Sequence, residues 1–83
     1  MIIRVFGRNC VRCTQTEEIM RQAVADCACS ATVENIFDFR EMMLAGVLST
    51  PAVSVDGVLR CSGRVPTPEE AREWLAAAEE NKG

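Results

Sequence analysis

The dipeptide Asp56-Gly57 constrains the fold of this chain more than any other feature of its sequence. It lies between two apolar segments, Ala52 to Val55 and Val58 to Ser62. Asp-Gly in this setting is the strongest short-range signal for a two-residue hairpin turn, because the turn requires residues that accept positive φ. We therefore predict two antiparallel strands joined at this turn.

A strand and a helix are predicted before the hairpin, at the start of the chain. Ile2 to Phe6 alternates around Arg4 and ends at Gly7, a pattern typical of a strand followed by a turn. From about Val11 to Asp26 apolar residues recur at steps of three and four, which predicts an amphipathic helix.

The middle of the chain predicts a further strand and a short helix. Ala31 to Ile36 has strand character. Asp38 followed by Glu41 resembles a capping box, so we expect a helix that runs through Ala45 and stops at Gly46.

The C-terminal segment predicts a last helix. Thr67 is its expected N-cap, Pro68 its first residue, and Glu70 completes a capping box. The apolar stripe of this helix comprises Ala71, Trp74, Leu75 and Ala78. Only Asn81 to Gly83 are expected to fray. The order βαβαββα predicts an α/β fold, a four-stranded mixed sheet flanked by three helices, in a single domain over residues 1–83.

Length and charge restrict the function classes. The chain has 83 residues, of which 48% are apolar, enough for one core without a metal or disulfide to staple it. No apolar run approaches the roughly 18 to 20 residues that span a bilayer, so we expect no membrane role. A net charge of −3 argues against a nucleic-acid surface. The N-terminus lacks the features of a secretory signal, so we expect a cytoplasmic protein.

The chemistry of the chain is expected at Cys10 and Cys13, where the first strand leads into the first helix. Unpaired N–H groups and the helix dipole at this position stabilise a thiolate on Cys10, the expected nucleophile. One helical turn brings the two Cα atoms to roughly 5 to 6 Å, close enough for a disulfide, which makes Cys13 the expected resolving thiol. An isolated Cys-x-x-Cys also fits metal binding or two unrelated core cysteines.

Several further segments make a family resemblance specific: Gly46-Val47, Thr50-Pro51-Ala52-Val53, Val55-Asp56-Gly57 and Ser62-Gly63-Arg64-Val65-Pro66. Together with Phe6-Gly7-Arg8-Asn9-Cys10-Val11-Arg12-Cys13, they resemble the small thioredoxin-like proteins known as redox-active disulfide proteins, of the thioredoxin-fold superfamily. The resemblance covers essentially the whole chain.

This resemblance implies a disulfide oxidoreductase and assigns roles to four residues. Cys10 and Cys13 carry over as the redox pair, Pro51 as a cis-proline facing the dithiol, and Thr50 as a source of backbone groups that pair with substrate. It further implies protein disulfide substrates and a separate electron donor similar to thioredoxin reductase. We also expect a monomer. No cofactor other than the redox-active disulfide is expected, since the sequence encodes no flavin or nicotinamide site.

The sequence departs from better-known relatives at two places. Thioredoxins proper have Trp before the motif and a buried acid in the preceding strand, whereas this chain has Asn9 and Arg4, which leaves the proton acceptor of Cys13 unassigned. The glutaredoxin Gly-Gly-acid stretch is replaced by Ser62-Gly63-Arg64, so dependence on glutathione is not expected.

Two arginines flank the nucleophile. Arg8 and Arg12 are candidates for favouring the Cys10 thiolate by their charge. The alternative is that they are ordinary solvated arginines at the start of a helix.

Three cysteines lie outside the motif. Cys27 continues the inner stripe of the first helix and is expected to be a small packed side chain. We expect Cys27 and Cys29 to point to opposite sides, which would make a shared metal or disulfide demanding. A four-cysteine zinc site is not expected, because 14 residues of helix separate Cys13 from Cys27 by about 21 Å.

Cys61 is a candidate third redox thiol, because the hairpin returns the fourth strand to the edge that carries the dithiol and Pro51. The alternative is a strand cysteine packed against a helix. For the chain as a whole, the alternative to a redox enzyme is a module that binds or transfers a soft metal or an iron-sulfur cluster through Cys10 and Cys13.

Overall fold

The computed structural model of the chain describes residues 1–7, 10–27 and 29–80. Within them, the elements are β1 (Ile2–Phe6), α1 (Val11–Cys27), β2 (Thr32–Ile36), α2 (Phe39–Leu44), β3 (Ala52–Val55), β4 (Val58–Ser62) and α3 (Pro68–Glu80). The predicted order βαβαββα is confirmed. The predicted fraying of Asn81 to Gly83 lies outside the described residues.

The strands form one mixed sheet in the order β2-β1-β3-β4. β1 runs parallel to β2, with Ile2 opposite Thr32, and antiparallel to β3, with Val5 opposite Val53. A parallel pair needs a crossover connection, which α1 provides. β1 and β3 are therefore the two central strands.

The predicted hairpin turn is confirmed at Asp56 and Gly57. Their φ values are +48° and +84°, the positive values that a tight turn between twisted strands requires. The turn is also tied to β1, since the Ile2 backbone N–H donates to Asp56 Oδ1 at 2.8 Å and the Ile2 carbonyl accepts from the Asp56 N–H at 2.8 Å. The hairpin is thus held against the start of the chain.

The core lies between one face of the sheet and the two long helices. Its fully enclosed members are Ile3, Val5, Val53 and Val55 from the strands and Met20, Ala23, Ala71 and Leu75 from α1 and α3. Burial of a large aliphatic side chain stabilises the fold by roughly 1.5 to 3 kcal/mol. This layer therefore fixes α1 and α3 on the sheet.

The helix caps agree with the sequence. Asp38 Oδ1 accepts from the backbone N–H of Arg40 at 2.8 Å and begins α2, a helix with no buried residue. At α3 the Glu70 N–H donates to Thr67 Oγ1 at 3.1 Å, and Glu70 Oε1 accepts from the Thr67 N–H at 3.0 Å. Both predicted N-caps are confirmed, and the two reciprocal hydrogen bonds of a capping box are present at Thr67 and Glu70.

Glu70 also forms a bidentate ion pair with Arg64, with both N–O distances 2.7 Å. This pairing, followed by the Thr67 backbone bond, lowers the pKa of Glu70 to about 2. The segment between β4 and α3 is thereby joined to the first turn of α3.

None of the helices in the described part of the chain is long and apolar enough to cross a membrane.

Candidate active site

The two thiols of the motif differ in exposure. Cys10 immediately precedes α1, and its carbonyl accepts from the Thr14 N–H at 3.0 Å, so it stands at the N-terminus of the helix. It is half-buried, whereas Cys13, one turn into the helix, is only 2% exposed. An incoming disulfide can therefore reach Cys10 but not Cys13.

The local environment lowers the pKa of Cys10. The Cys13 backbone N–H and then its thiol donate hydrogen bonds to the Cys10 sulfur, and the Arg12 N–H and charge act in the same direction. Partial burial opposes them. The backbone N–H groups of Cys13 and Arg12 are the ones expected to be unpaired at the start of a helix, and their hydrogen bonds favour the thiolate.

The pKa of Cys13 moves in the opposite direction. Burial raises it first, followed by the hydrogen bond and charge of Cys10. A hydrogen bond from the Thr50 side chain and the charge of Arg12 partly offset these effects. At neutral pH the pair therefore consists of an activated outer thiol and a protonated inner thiol.

Gly7 allows the inner thiol to reach its position. Its φ is +124°, and a Cβ there would lie 2.6 Å from Cys13 Sγ and 3.1 Å from Thr50 Cβ. Only a residue without a side chain leaves room for Cys13 and Thr50 to approach the end of β1. Sequence reasoning missed this role, although the position of a glycine directly after a strand was a signal for it.

The Thr50-Pro51 segment lies beside the dithiol. Its peptide bond is cis, as the resemblance implied. Pro51 is buried and its carbonyl accepts from the Gly63 N–H at 2.8 Å, while Thr50 is exposed and precedes the ladder of β3, which begins at Ala52. Besides its predicted backbone role, Thr50 contacts Cys13 through its side chain, which the sequence did not indicate.

Of the two flanking arginines that were predicted to favour the Cys10 thiolate, the structure describes Arg12. Arg12 is exposed, and its Nη2 donates to the Gly63 carbonyl at 3.0 Å, linking α1 to the segment after β4. Its charge lowers the pKa of Cys10, behind the larger contribution of the Cys13 hydrogen bonds. Arg8, the other predicted arginine, lies outside the described residues. Arg4 is exposed and pairs with Glu34 at 3.3 Å across β1 and β2.

Cys61 lies in the core. It is 8% exposed, stands opposite Val53 in the sheet and packs within the main apolar cluster. Burial raises the pKa of its thiol, and its Sγ is 3.8 Å from the Arg64 carbonyl oxygen. This is the position of a packed strand cysteine. A role for Cys61 as a third redox thiol stays a prediction.

The expectation that Cys27 and Cys29 point apart was wrong. Their Sγ atoms and a carboxylate oxygen of Glu79 all lie within 4.8 Å of one another. Cys27 is the last residue of α1. The expectation was mistaken in its geometry, because residues two apart in an extended chain share a side. Burial, then the hydrogen bond and charge of Cys27 and the charge of Glu79, raise the pKa of Cys29 to about 11.

A reachable thiol of lowered pKa beside a buried thiol, on a four-stranded mixed sheet and next to a cis-proline, defines a thioredoxin-fold thiol-disulfide oxidoreductase. Residues 1–76 match the model of the family described as Thioredoxin domain. The chain belongs to this family, and it is a thiol-disulfide oxidoreductase.

Two similar proteins support the assignment. The chain is 34% identical over 82 residues to a thioredoxin of Methanocaldococcus jannaschii, a match that covers 99% of this chain and 94% of that protein. It is 33% identical over 76 residues to a thioredoxin of Methanothermobacter thermautotrophicus, which covers 92% of this chain and 99% of that protein. The similarity therefore spans the whole domain, not one motif.

Proposed function

We propose that Cys10 attacks a disulfide in a protein substrate and that Cys13 resolves the resulting mixed disulfide. The observation that supports this assignment is the asymmetry of the pair. Cys10 is accessible and its pKa is lowered, whereas Cys13 is enclosed and its pKa is raised.

In the first step the Cys10 thiolate forms a bond to one substrate sulfur, and the other substrate sulfur leaves as a thiolate. In the second step the Cys13 sulfur, having lost its proton, bonds to Cys10 and releases the first substrate sulfur. Two electrons pass from the Cys10 and Cys13 pair to the substrate, whose sulfurs take up two protons. The hydrogen bond from Thr50 favours ionised Cys13 at the second step.

The surface beside Thr50 supports a polypeptide substrate. Thr50 lines a groove together with Phe39, Met42, Met43, Val47, Leu48 and Ser49. Phe39 and Leu48 are 76% and 95% exposed. Exposed apolar side chains around a groove are typical of surfaces that bind other proteins. We propose that substrate chain lies here, with Thr50 pairing to it through backbone groups as an added strand.

Trapping the mixed disulfide tests the order of attack. Cys13→Ser is expected to stop at an adduct with insulin, a model disulfide protein, in which Cys10 carries the substrate sulfur. Cys10→Ser should form no adduct, while Cys29→Ser, which changes a thiol away from the motif, should turn over like the unsubstituted protein. Mapping the adduct to Cys61, or turnover by Cys13→Ser, would contradict the proposal.

We propose that a separate reductase returns electrons to the disulfide, that the protein acts in the cytoplasm as a monomer, and that turnover needs no resident cofactor. The reactive pair is itself the electron carrier, which supports the last point. Catalysed insulin reduction by dithiothreitol with dialysed, metal-free protein tests it, and activity that requires an added cofactor would contradict it.

A further inference from the structure

Three side chains of metal-binding type meet at the far end of α1. Cys27 ends that helix, Cys29 follows it, and Glu79 lies in the last turns of α3. One donor atom from each lies within 4.8 Å of the other two. The 14 residues of helix between Cys13 and Cys27 correspond to about 21 Å, so this cluster is separate from the redox pair.

We propose that Cys27, Cys29 and Glu79 bind one Zn²⁺ ion. Zinc accepts thiolate and carboxylate ligands in tetrahedral geometry, at about 2.3 Å for sulfur and about 2.0 to 2.2 Å for oxygen. Those bond lengths place neighbouring ligand atoms about 3.5 to 3.8 Å apart. The donors of this cluster are at most 4.8 Å apart, so they need to close by only about 1 to 1.3 Å.

Packing already restricts the two thiols, while the carboxylate stays accessible. Both cysteines are half-buried and pack against the core cluster, which restricts their motion, whereas Glu79 is exposed. The carboxylate side of the cluster is therefore open to solvent, and a water molecule can take the fourth position. On binding, each thiol releases its proton to solvent, so two thiolates and one carboxylate surround the 2+ charge.

The donor set favours zinc over Cu⁺, Mg²⁺ and Ca²⁺. Cu⁺ prefers sulfur ligands alone, and Mg²⁺ and Ca²⁺ prefer oxygen ligands alone. Two thiolates with one carboxylate match the mixed preference of Zn²⁺. Two thiols alone would bind several soft metals. The carboxylate of Glu79 adds the oxygen ligand that favours Zn²⁺.

Metal titration of the full chain tests the proposal. The Cys10→Ser/Cys13→Ser protein, kept reduced, removes competition from the redox pair. Co²⁺ serves as a spectroscopic substitute for Zn²⁺, and Zn²⁺ affinity is then measured by competition with a chromogenic chelator. We expect one ion per chain, the visible spectrum of tetrahedral cobalt, and charge-transfer absorption from thiolate.

Ligand variants in the same background identify the donors. Residues that merely orient a ligand change metal affinity by about 10- to 100-fold, so Cys27→Ser and Cys29→Ser should each lower Zn²⁺ affinity by more than about 100-fold. Glu79→Gln removes the charge but keeps a side-chain oxygen that can still bind the metal weakly, so it should lower affinity less than the cysteine variants do, by about tenfold. Glu73→Gln removes the same charge from an exposed position of α3 outside the cluster, and should leave affinity unchanged.

A second measurement keeps the cluster intact and does not depend on the folding of its variants. In the same double-serine protein, Zn²⁺ should slow alkylation of both Cys27 and Cys29, mapped by mass spectrometry, and leave Cys61 unaffected. Absence of binding, absence of this protection, or equal affinity in Glu79→Gln and the parent would each overturn the proposal.

Discussion

Replacing Gly7 with alanine should destabilise the protein and displace the resolving thiol. The added Cβ would lie 2.6 Å from Cys13 Sγ and 3.1 Å from Thr50 Cβ. Non-bonded carbon atoms normally stay about 3.5 to 4.0 Å apart, so the Cys13 side chain must move by about 1 Å. Forcing an extra methyl group into a packed site costs about 1 to 3 kcal/mol.

The backbone of Gly7 adds a second cost. Its φ of +124° lies where residues with side chains are strained, by about 1 to 3 kcal/mol. The two effects together amount to about 2 to 6 kcal/mol. The expected free energy of unfolding for 83 residues is about 4 to 12 kcal/mol, so the variant should lose a large part of it.

Gly46→Ala is a matched control for the backbone effect alone. Gly46 also has a positive φ, +80°, but a Cβ there would meet no atom within 4 Å. Its expected cost is therefore about 1 to 2 kcal/mol, and each kcal/mol lowers Tm by about 4 to 8 °C in a domain of this size.

Thermal unfolding of the reduced proteins, followed by circular dichroism, gives the two Tm values. Alkylation of native protein gives the accessibility of Cys13. We expect Gly7→Ala to lose more Tm than Gly46→Ala and to alkylate faster at Cys13, because its thiol leaves an enclosed site. Equal losses of Tm, with Cys13 equally protected in both variants, would refute the contact argument.

Three other variants probe the charges and hydrogen bonds of the structure. Arg12→Ala removes a positive charge that lowers the pKa of Cys10, so the pH dependence of Cys10 alkylation should move to higher pH. Thr50→Val removes the hydrogen bond that favours ionised Cys13, so resolution of the mixed disulfide should slow at fixed pH. Glu70→Gln should lower stability to urea at neutral pH, where the lowered pKa of Glu70 contributes fully. That difference should shrink as pH falls from about 4.5 through about 2, where the native Glu70 becomes protonated.

Each of these variants has a control on the same chain. Arg21→Ala removes a charge nine residues further along α1, about 14 Å from Arg12, and should leave the pH profile unchanged. Thr50→Ser keeps the hydroxyl and should retain the resolution rate. Glu69→Gln removes the neighbouring charge and leaves the Arg64–Glu70 ion pair intact, so it should keep stability to urea at neutral pH. A control that behaves like its test variant would contradict the cause assigned to it.

Short-range signals in the sequence predicted the architecture. The turn at Asp56 and Gly57 and the capping box of Thr67 and Glu70 each depend on residues next to or near one another in the chain. Such features carry their structural requirement in the local sequence, and so the order of elements could be predicted.

Contacts between distant parts of the chain could not be predicted in the same way. Gly7 matters because it meets Cys13 and Thr50, which reach it from a helix and from the loop before β3. Likewise, Cys27 and Glu79 come together only because the ends of α1 and α3 lie side by side. No local pattern encodes these distances.

The shallow attachment of α2 has a consequence for motion at the active site. No residue of this helix is buried, and the segment after it leads directly to Thr50. Backbone amides held by few apolar contacts exchange with solvent deuterium through local opening, whereas those of central strands exchange only when the whole domain unfolds. We therefore expect fast exchange in Phe39–Leu44 and slow exchange in β1, the strand that leads to the dithiol. This pattern would show that α2 is mobile beside a rigid sheet. A mobile α2 can adapt to disulfide substrates of different folds while the geometry of Cys10 and Cys13 stays fixed.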